Sequence, residues 1–531
     1  MSLNKKKSRS LIDVAGIVAF ATLISKLFGL IREQSIAAAF GVGPVINAYS
    51  YAYVVPGFFL ILLGGINGPF HSSLISVLSK RKKTEIAPLV ESVTTLVTIL
   101  LLVITIILIL FADTFISILA PGLQGEVKLI AIEQLQIMAP LALLSGLIGI
   151  GFGTLNAADQ YLLPSISPLF SSVVISFGVW ALIWHTGQNI NEQENWYLGG
   201  MVLAGGTLLG GLLQWLAQLQ AQWRKGMGGL RLRFQFNIPG LKDIIKILVP
   251  ATFASGMLHI NVYTDLFFAS FIPDAAAAMR YANFIVLTPL GIISNMILVP
   301  FMPIFSQLTT PENWNELKLR IRQGIFLSAL TMLPLTAVFI ALAPNIIRVI
   351  YQRGAFEVND AIIVAPVLVA YGTGMFFYLV RDVLVRVFYA LGDGGTPFRV
   401  SLFNIFLNGL LDFLLYQSFG TPGLVFATIL VNLISIFIFL VILDNRLNKL
   451  PVKKWTIGIL NLVAITFIAA LVGWIVNYLL HHIYSADNLG LQCLQLFISS
   501  SSILGIFFIL SMQLQLPEIE LLSNQLKKKL K

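Results

Sequence analysis

The sequence predicts an all-α, polytopic membrane protein, and three observations predict it. Of 531 residues, 57% are hydrophobic and only 11% are charged, against roughly 25% charged in a soluble domain. The mean hydropathy is +0.87. Apolar runs of about 20 residues, the length of a spanning helix, recur from Leu11 to Met512. No ten-residue alternating strands of the barrel type accompany them. A chain this apolar cannot cover itself with polar surface, so a soluble globule is excluded. The first run is too long for a signal peptide and lacks an A-x-A exit, so it reads as the first span.

About fourteen spans can be placed, each long enough to cross with some tilt. The first six cover residues 11–34, 45–70, 88–112, 127–153, 161–185 and 196–221. The next six cover 240–271, 276–306, 322–346, 361–391, 397–418 and 422–443. The last two cover 455–480 and 490–513.

The connections test that count. Lys5, Lys6, Lys7 and Arg9 precede span one, and Lys80, Arg81, Lys82 and Lys83 follow span two. Arg224, Lys225, Arg231 and Arg233 follow span six, and Lys318, Arg320 and Arg322 accompany the turn after span eight. Arg446, Lys449, Lys453 and Lys454 follow span twelve; Lys527, Lys528, Lys529 and Lys531 follow span fourteen. Every basic cluster falls after an even number of spans, which puts them all on one side. That side is cytoplasmic by the positive-inside rule, so both termini are expected inside. The net charge of +10 is then a property of cytoplasmic loops and not of a nucleic-acid surface. One cysteine, Cys493, excludes an internal disulfide.

Two halves of the chain echo each other. Tyr51-Ala52-Tyr53 parallels Tyr281-Ala282-Asn283, and Pro69-Phe70 parallels Pro300-Phe301, at offsets of 230 and 231 residues. Ala120-Pro121-Gly122 parallels Ala343-Pro344-Asn345, and Phe152-x-x-Leu155 parallels Phe388-x-x-Leu391. The common order predicts an N-lobe over 1–222, a C-lobe over 223–450 and two appended spans with a basic tail over 451–531. Six spans per lobe is an even number, so the repeat is parallel, with its axis along the membrane normal. Two such lobes around a cavity form a transporter architecture.

Ionisable residues inside spans cost roughly 2.5–3.5 kcal/mol each on insertion scales, and they mark cavities or partners. Span one carries Lys26 and Arg32-Glu33. Six residues, about 9 Å of helix, separate the two cations, so both can line one wall at different depths. Cations there suit a phosphate or carboxylate; the alternative for Arg32 is snorkelling or pairing with Glu33. Span ten carries Arg381, Asp382 and Arg386. An i,i+4 ion pair between Asp382 and Arg386 is expected, leaving Arg381 for the cavity. Spans eleven and twelve carry Asn408, Asp412 and Thr428, and span seven carries Asp265. Their oxygens can hold a monovalent cation or a proton, or form a neutral hydrogen-bonded cluster.

Other residues carry less. The five histidines are scattered and support no zinc site. Gly64-Gly65 and Gly205-Gly206 are expected to admit close helix packing, and Pro56 and Pro289 to bend helices. There is no Walker A motif and no Ser-His-Asp arrangement.

Several motifs resemble those of the MurJ (MviN) lipid II flippase family. Ser25-Lys-Leu-Phe-Gly-Leu-Ile-Arg-Glu33 resembles its S-R-x-L-G-x-x-R-D. Phe40-Gly-Val-Gly43 through Asn47-Ala-Tyr49 resembles its F-G-x-G-x-x-x-D-A-F. Leu155-Asn156 with Pro164 and Pro168 fits its connection between the fourth and fifth spans. Tyr351-Gln-Arg-Gly-Ala-Phe356 fits its loop after span nine, and Arg386-Val-Phe-Tyr-Ala-Leu-Gly-Asp-Gly-Gly-Thr-Pro397 fits its R-x-F-Y-A-x-x-D-x-x-T-P.

The resemblance implies the fold of the multidrug/oligosaccharidyl-lipid/polysaccharide exporters. It also implies a role in peptidoglycan synthesis at the bacterial inner membrane. There the undecaprenyl-pyrophosphate-linked disaccharide peptide, lipid II, would pass from the inner to the outer leaflet. By the same resemblance Lys26 and Arg32 stand at the family's two span-one arginines and Asn47 at its aspartate. The sequence departs at Leu60 and Phe284, where the family has arginines, and at Asn67 and Asn283, where it has acidic residues. Arg280, one turn before Phe284, is the candidate substitute. Asp265, Asn408, Asp412 and Thr428 match positions that the family is held to use for sodium, so Na+ is the one candidate cofactor.

The leading expectation is a lipid II flippase working by alternating access, not an enzyme. Lys26, Arg32, Asn47, Arg280 and Arg381 would receive the headgroup, and the polyprenyl tail would stay in lipid along spans thirteen and fourteen. An exporter of another polyprenyl-linked polysaccharide is the first rival. A membrane glycosyl- or acyltransferase is the second; it would need clustered acidic or histidine residues in a loop, and Glu192 and Glu194 have no such arrangement.

Overall fold

In the computed structural model, the described residues are 11–65, 68–187, 190, 192–235, 237–257, 260–483 and 488–519. The first and last basic clusters, Asn67, and parts of the 191–195 and 485–488 loops lie outside them. The described residues are helical, with no strand among them. They group into two compact units, Met1–Ala277 and Ala278–Lys531.

The first unit begins with α1 (Leu11–Phe40), α2 (Pro44–Ala52), α3 (Val54–Gly64) and α4 (Pro69–Leu78). Then come α5 (Lys83–Leu110), α6 (Ala112–Leu119), α7 (Gly125–Met138) and α8 (Pro140–Ala157). α9 (Leu162–Ile166), α10 (Leu169–Thr186), α11 (Trp196–Arg224), α12 (Leu241–Met257) and α13 (Ile260–Ala269) complete it. Proline sets the breaks. Pro44, Pro69 and Pro140 open α2, α4 and α8 at positions whose N–H has no helical acceptor anyway. Pro56 sits in the first turn of α3, and the helical path is interrupted there: Tyr53, between α2 and α3, keeps helical φ/ψ, but Pro56 has no N–H to give to the Ala52 carbonyl.

α8 is the hub of this unit, packing on α3, α4, α5 and α11. Nearly every residue of α8 from Leu141 to Asn156 is buried. Small residues allow the approach. A Cβ on Gly149 would collide with the backbone of Leu63, and one on Gly210 of α11 with the backbone of Ser171. Gly64 and Gly206 also pack closely, against Ser145 and Ile175, whereas Gly205 faces open space. α12 packs on α3 and α4, and α13 on α6, so by packing these two helices belong with the first unit.

The second unit contains α14 (Ala275–Gln307, from Ala278 onward), α15 (Trp314–Tyr351) and α16 (Val358–Ala390). α17 (Gly395–Arg446), α18 (Val452–Ile483) and α19 (Leu489–Met512) follow. α15 packs on α16, α18 and α19. With 38 residues it is about 57 Å long, so Lys318, Arg320 and Arg322 project beyond an apolar layer of about 30 Å. Tyr281, Tyr351 and Phe356 form a buried aromatic triangle with centroids 5.0–5.6 Å apart. That triangle anchors the Tyr351–Phe356 motif. α17 is two arms broken at Gly420, whose φ of 59° and ψ of −141° suit glycine. The break falls between the two spans expected at 397–418 and 422–443.

Eleven helical segments among the described residues are long and apolar enough to cross a bilayer. The larger sequence count has physical sources. α17 counts as one segment although it turns at Gly420. α1, α12 and α13 border or contain residues outside the described set. The protein is an all-α polytopic membrane protein.

Candidate functional site

Within the first unit, Lys26 is exposed on α1 and forms no salt bridge among the described residues. Arg32, two turns on, is held by its neighbour: Nη2 lies 2.7 Å and Nε 3.1 Å from Glu33 Oε1. Glu33 is buried. The two span-one cations are therefore not equivalent. Lys26 carries a net charge toward its surroundings, while Arg32 is largely neutralised. Asn47 is buried on α2, and its Oδ1 accepts from the backbone N–H of Ala277 at 3.4 Å, in the first turn of α14. Its side chain has a helix-entry role that the sequence did not indicate. Leu60, where the family has an arginine, packs against the Leu141–Phe152 cluster.

Within the second unit, Arg280 is half-buried on α14. Arg381 lies on α16 with its Nε buried and without a hydrogen-bond acceptor. A guanidinium donor left unpaired in a low-dielectric surrounding favours an incoming anion. The expected Asp382–Arg386 ion pair is not formed among the described residues. The i,i+4 spacing permits such a pair without enforcing it, and here Asp382 is exposed.

The oxygen cluster forms across the two arms of α17. Asn408 Nδ2 donates to Asp412 Oδ2 at 2.7 Å, and Thr428 Oγ1 donates to Asn408 Oδ1 at 3.3 Å. Asn408 and Asp412 are fully buried. Asp265 lies on α13, in the first unit, and is half-buried. Sequence reading missed how far this polar seam extends. Ser435 Oγ donates to Asn404 Oδ1 at 3.1 Å, and Asn432 Nδ2 donates to Thr428 O at 2.8 Å. The signal was present as two polar stripes at helical spacing, 404/408/412 and 428/432/435, in otherwise apolar arms.

A second missed seam runs through the first unit. Gln214, Gln218 and Gln222 are buried at four-residue spacing on α11. Gln218 Nε2 donates to Ser167 Oγ at 2.9 Å, and Thr154 Oγ1 donates to Gln222 Oε1 at 3.3 Å. Asn156 Nδ2 and His71 Nε2 lie 2.7 Å apart. His71 is thus part of a buried helix–helix contact. Among the described residues no group of three or more His, Cys, Asp or Glu can hold a metal ion.

The Arg386–Pro397 motif is a mechanical joint between α16 and α17. Asp393 accepts from Thr396 N at 3.0 Å, Thr396 Oγ1 at 2.8 Å and Arg446 Nη1 at 2.9 Å. These bonds, the Thr396 backbone N–H foremost, hold the Asp393 carboxyl below its ordinary range.

Comparison with known proteins places this arrangement. The family described as "Lipid II flippase MurJ" matches residues 36–492. The chain belongs to the MurJ lipid II flippase family. A relative from Synechocystis, named a probable lipid II flippase MurJ, is 61% identical over 531 residues, covering 100% of both chains. One from Rhizobium meliloti, of the same name, is 27% identical over 446 residues and covers 81% of each. A solved structure, lipid II flippase MurJ in an inward closed conformation, superposes with a TM-score of 0.73. It is 21% identical and covers 94% of this chain and 99% of that one. An inward-facing multidrug resistance MATE family transporter of the MOP superfamily gives 0.59 at 17% identity. It covers 82% of this chain and 98% of that one. At these identities the two structures show the fold alone, and this chain shares it with both.

Proposed function

We propose that this chain is a lipid II flippase, a transporter and not an enzyme. The observation that carries the reading is the full-length likeness, at 61% identity, to a relative named for that activity. The local geometry supports it. Lys26 offers a charge free of carboxylates among the described residues, and Arg381 offers a buried, unpaired donor. Both suit a pyrophosphate, whose charge is worth more to a cation away from water. Arg32, Asn47 and Arg280 join them as headgroup residues in this proposal. Movement by alternating access would carry the headgroup while the polyprenyl tail stays in lipid along α18 and α19. In the same proposal the chain would sit in the bacterial inner membrane, cross it fourteen times and keep both termini in the cytoplasm, as the distribution of basic clusters supports.

A sodium ion is proposed at Asp412, Asn408 and Thr428, within the second unit. Support comes from the gathering of a fully buried carboxylate, an amide and a hydroxyl on facing turns of the two arms of α17, an oxygen-rich set of the kind that hard cations favour. A bound cation would bias the conformation it binds more tightly.

The test is depletion of the native flippase in a bacterial cell that expresses this chain, followed by assay of the leaflet that holds labelled lipid II. Outward appearance of lipid II is expected. Its retention inside, with the chain inserted, would overturn the reading.

A further inference from the structure

A cavity of about 880 Å³ lies within the second unit, bounded by α15, α16 and the second arm of α17. It sits at the end of α15 away from Lys318, Arg320 and Arg322. Its size is within the range of about 300–1,000 Å³ seen for small-ligand sites. Most of its wall is apolar, with Ile340, Ile362, Val369 and Phe426 among the lining residues. The rim is lipid-like: Val358 is 59% and Ile362 65% exposed.

The polar groups gather at the mouth. Asn345 and Arg348, three residues apart on α15, line it together with Gln352 at the C-cap of that helix. Arg348 is half-buried and forms no salt bridge among the described residues. Asn345 Oδ1 is committed to Asn477 Nδ2 at 3.1 Å, so Asn345 has its Nδ2 donors left to offer. Two amide donors beside one cation match a single phosphate.

Prolines add acceptors. Pro344 and Pro366 lie inside α15 and α16 and line the same cavity. A proline cannot donate to the carbonyl four residues earlier. Those carbonyls belong to Ile340 and Ile362, both cavity residues, and each lacks its helical donor. Carbonyls of this kind in a membrane protein are tolerated where they line a polar or ligand-holding space. Pro422, from the other side of the Gly420 break, closes the wall.

We infer that this cavity binds an anionic, hydroxyl-bearing glycerophospholipid of the phosphatidylglycerol class. The acyl chain would lie along the apolar wall and the phosphate at Arg348. A glycerol hydroxyl would donate to the carbonyl of Ile362, a rim residue one turn into α16; the Ile340 carbonyl lies about 12 Å of helix deeper than Arg348, beside the acyl chain. One cation fits one phosphate monoanion better than a pyrophosphate, which separates this site from the transported headgroup. The inference stands apart from the flippase reading, because its test reads binding and not transport.

The experiment is native mass spectrometry of the purified full chain in detergent, with dioleoyl-phosphatidylglycerol, dioleoyl-phosphatidylcholine or undecaprenyl pyrophosphate as probe. The wild type should retain one phosphatidylglycerol at least about tenfold better than phosphatidylcholine, a ratio that corresponds to about 1.4 kcal/mol. Arg348→Gln should lose about that factor, and Arg348→Lys should keep most of it. Ala365→Phe, which fills the cavity, should lose bound lipid of either headgroup, and Lys128→Gln in the first unit should change nothing. Equal retention of the two phospholipids by the wild type would overturn the inference. So would undiminished binding by Arg348→Gln, or preferential Arg348-dependent capture of undecaprenyl pyrophosphate. If Arg348→Gln fails to fold, the headgroup comparison on the wild type and Arg348→Lys still decides.

Discussion

Arg32 and Glu33 are chain neighbours whose side chains close on each other, Nη2 to Oε1 at 2.7 Å, with Glu33 buried. Removing the guanidinium takes away a cation that sits 2.7 Å from this buried carboxylate. For a fully buried pair that costs about 3–5 kcal/mol; Arg32 is 24% exposed, so the loss here should be smaller. Arg32→Ala should therefore lower thermal stability in detergent as well as transport. The double variant Arg32→Ala/Glu33→Gln should recover the melting temperature without recovering lipid II movement. A double variant that melts as low as the single one would show that Glu33 does not need Arg32.

Lys26 should respond differently. It is exposed and unpaired by carboxylates among the described residues, so nothing in the fold depends on its charge. Lys26→Gln should leave insertion and melting unchanged while transport falls by about tenfold or more, the scale of one charge-assisted contact. Rescue of flippase-depleted cells at the wild-type rate would remove Lys26 from the site.

Arg381 offers a sharper sign. Its buried Nε has no acceptor, which is a cost to the protein without ligand. Arg381→Gln should melt no lower than the wild type and yet transport poorly. A fall in stability with normal transport would instead make Arg381 a structural residue.

The broad fold was legible because membrane solvent imposes it: length and hydropathy alone place helices, and eleven of the helical segments among the described residues are long and apolar enough to cross a bilayer. The sites of helix breakage were less legible. Pro56 marks the interruption between α2 and α3, whereas the break at Phe111 between α5 and α6 has no proline or glycine to announce it. Candidate cations were legible for the same solvent reason, since charge is rare in spans. Their partners were not. Arg32 could turn either to Glu33 or to a cavity, and Asp382 could pair with Arg386 or face outward; rotamers decide both. The buried seams at Asn404–Ser435 and Gln214–Gln222 were present as helical spacing, but uncharged side chains stand out less than charged ones.

Asp393 gives a pH prediction. Its folded-state pKa is lowered, first by the Thr396 N–H and then by Thr396 Oγ1 and Arg446. A lowered carboxyl stabilises the fold above its unfolded value, about 3.9. That contribution is lost as the pH falls through the folded value. Asp393→Asn keeps an oxygen for the Thr396 N–H but loses the charge that meets Arg446, so it should melt lower than the wild type at neutral pH by up to about 1 kcal/mol, the scale of a solvent-accessible ion pair. The two should converge in acid below about pH 4. A constant gap from pH 7 to pH 3 would show that the charge of Asp393 is not what holds α16 to α17.

Asn408 and Asp412 decide the sodium question. The amide donates to the carboxylate at 2.7 Å, and the amide oxygen accepts from Thr428 at 3.3 Å. In that arrangement the amide faces the carboxylate with its nitrogen. A sodium ligand must present oxygen instead, so binding would require the Asn408 amide to turn over and give up that bond. A cation that is coupled to transport must also favour one conformation over another. The measurement is labelling of single cysteines on the side opposite the basic clusters, in a Cys493→Ser background, since Cys493 is free and exposed. Sodium should change the labelling pattern of the wild type, and potassium at equal ionic strength should not. Asp412→Asn should abolish the sodium response, because a neutral amide removes the charge that binds the ion. Identical labelling with and without sodium, in both the wild type and Asp412→Asn, would identify the seam as a neutral hydrogen-bonded joint between the arms of α17.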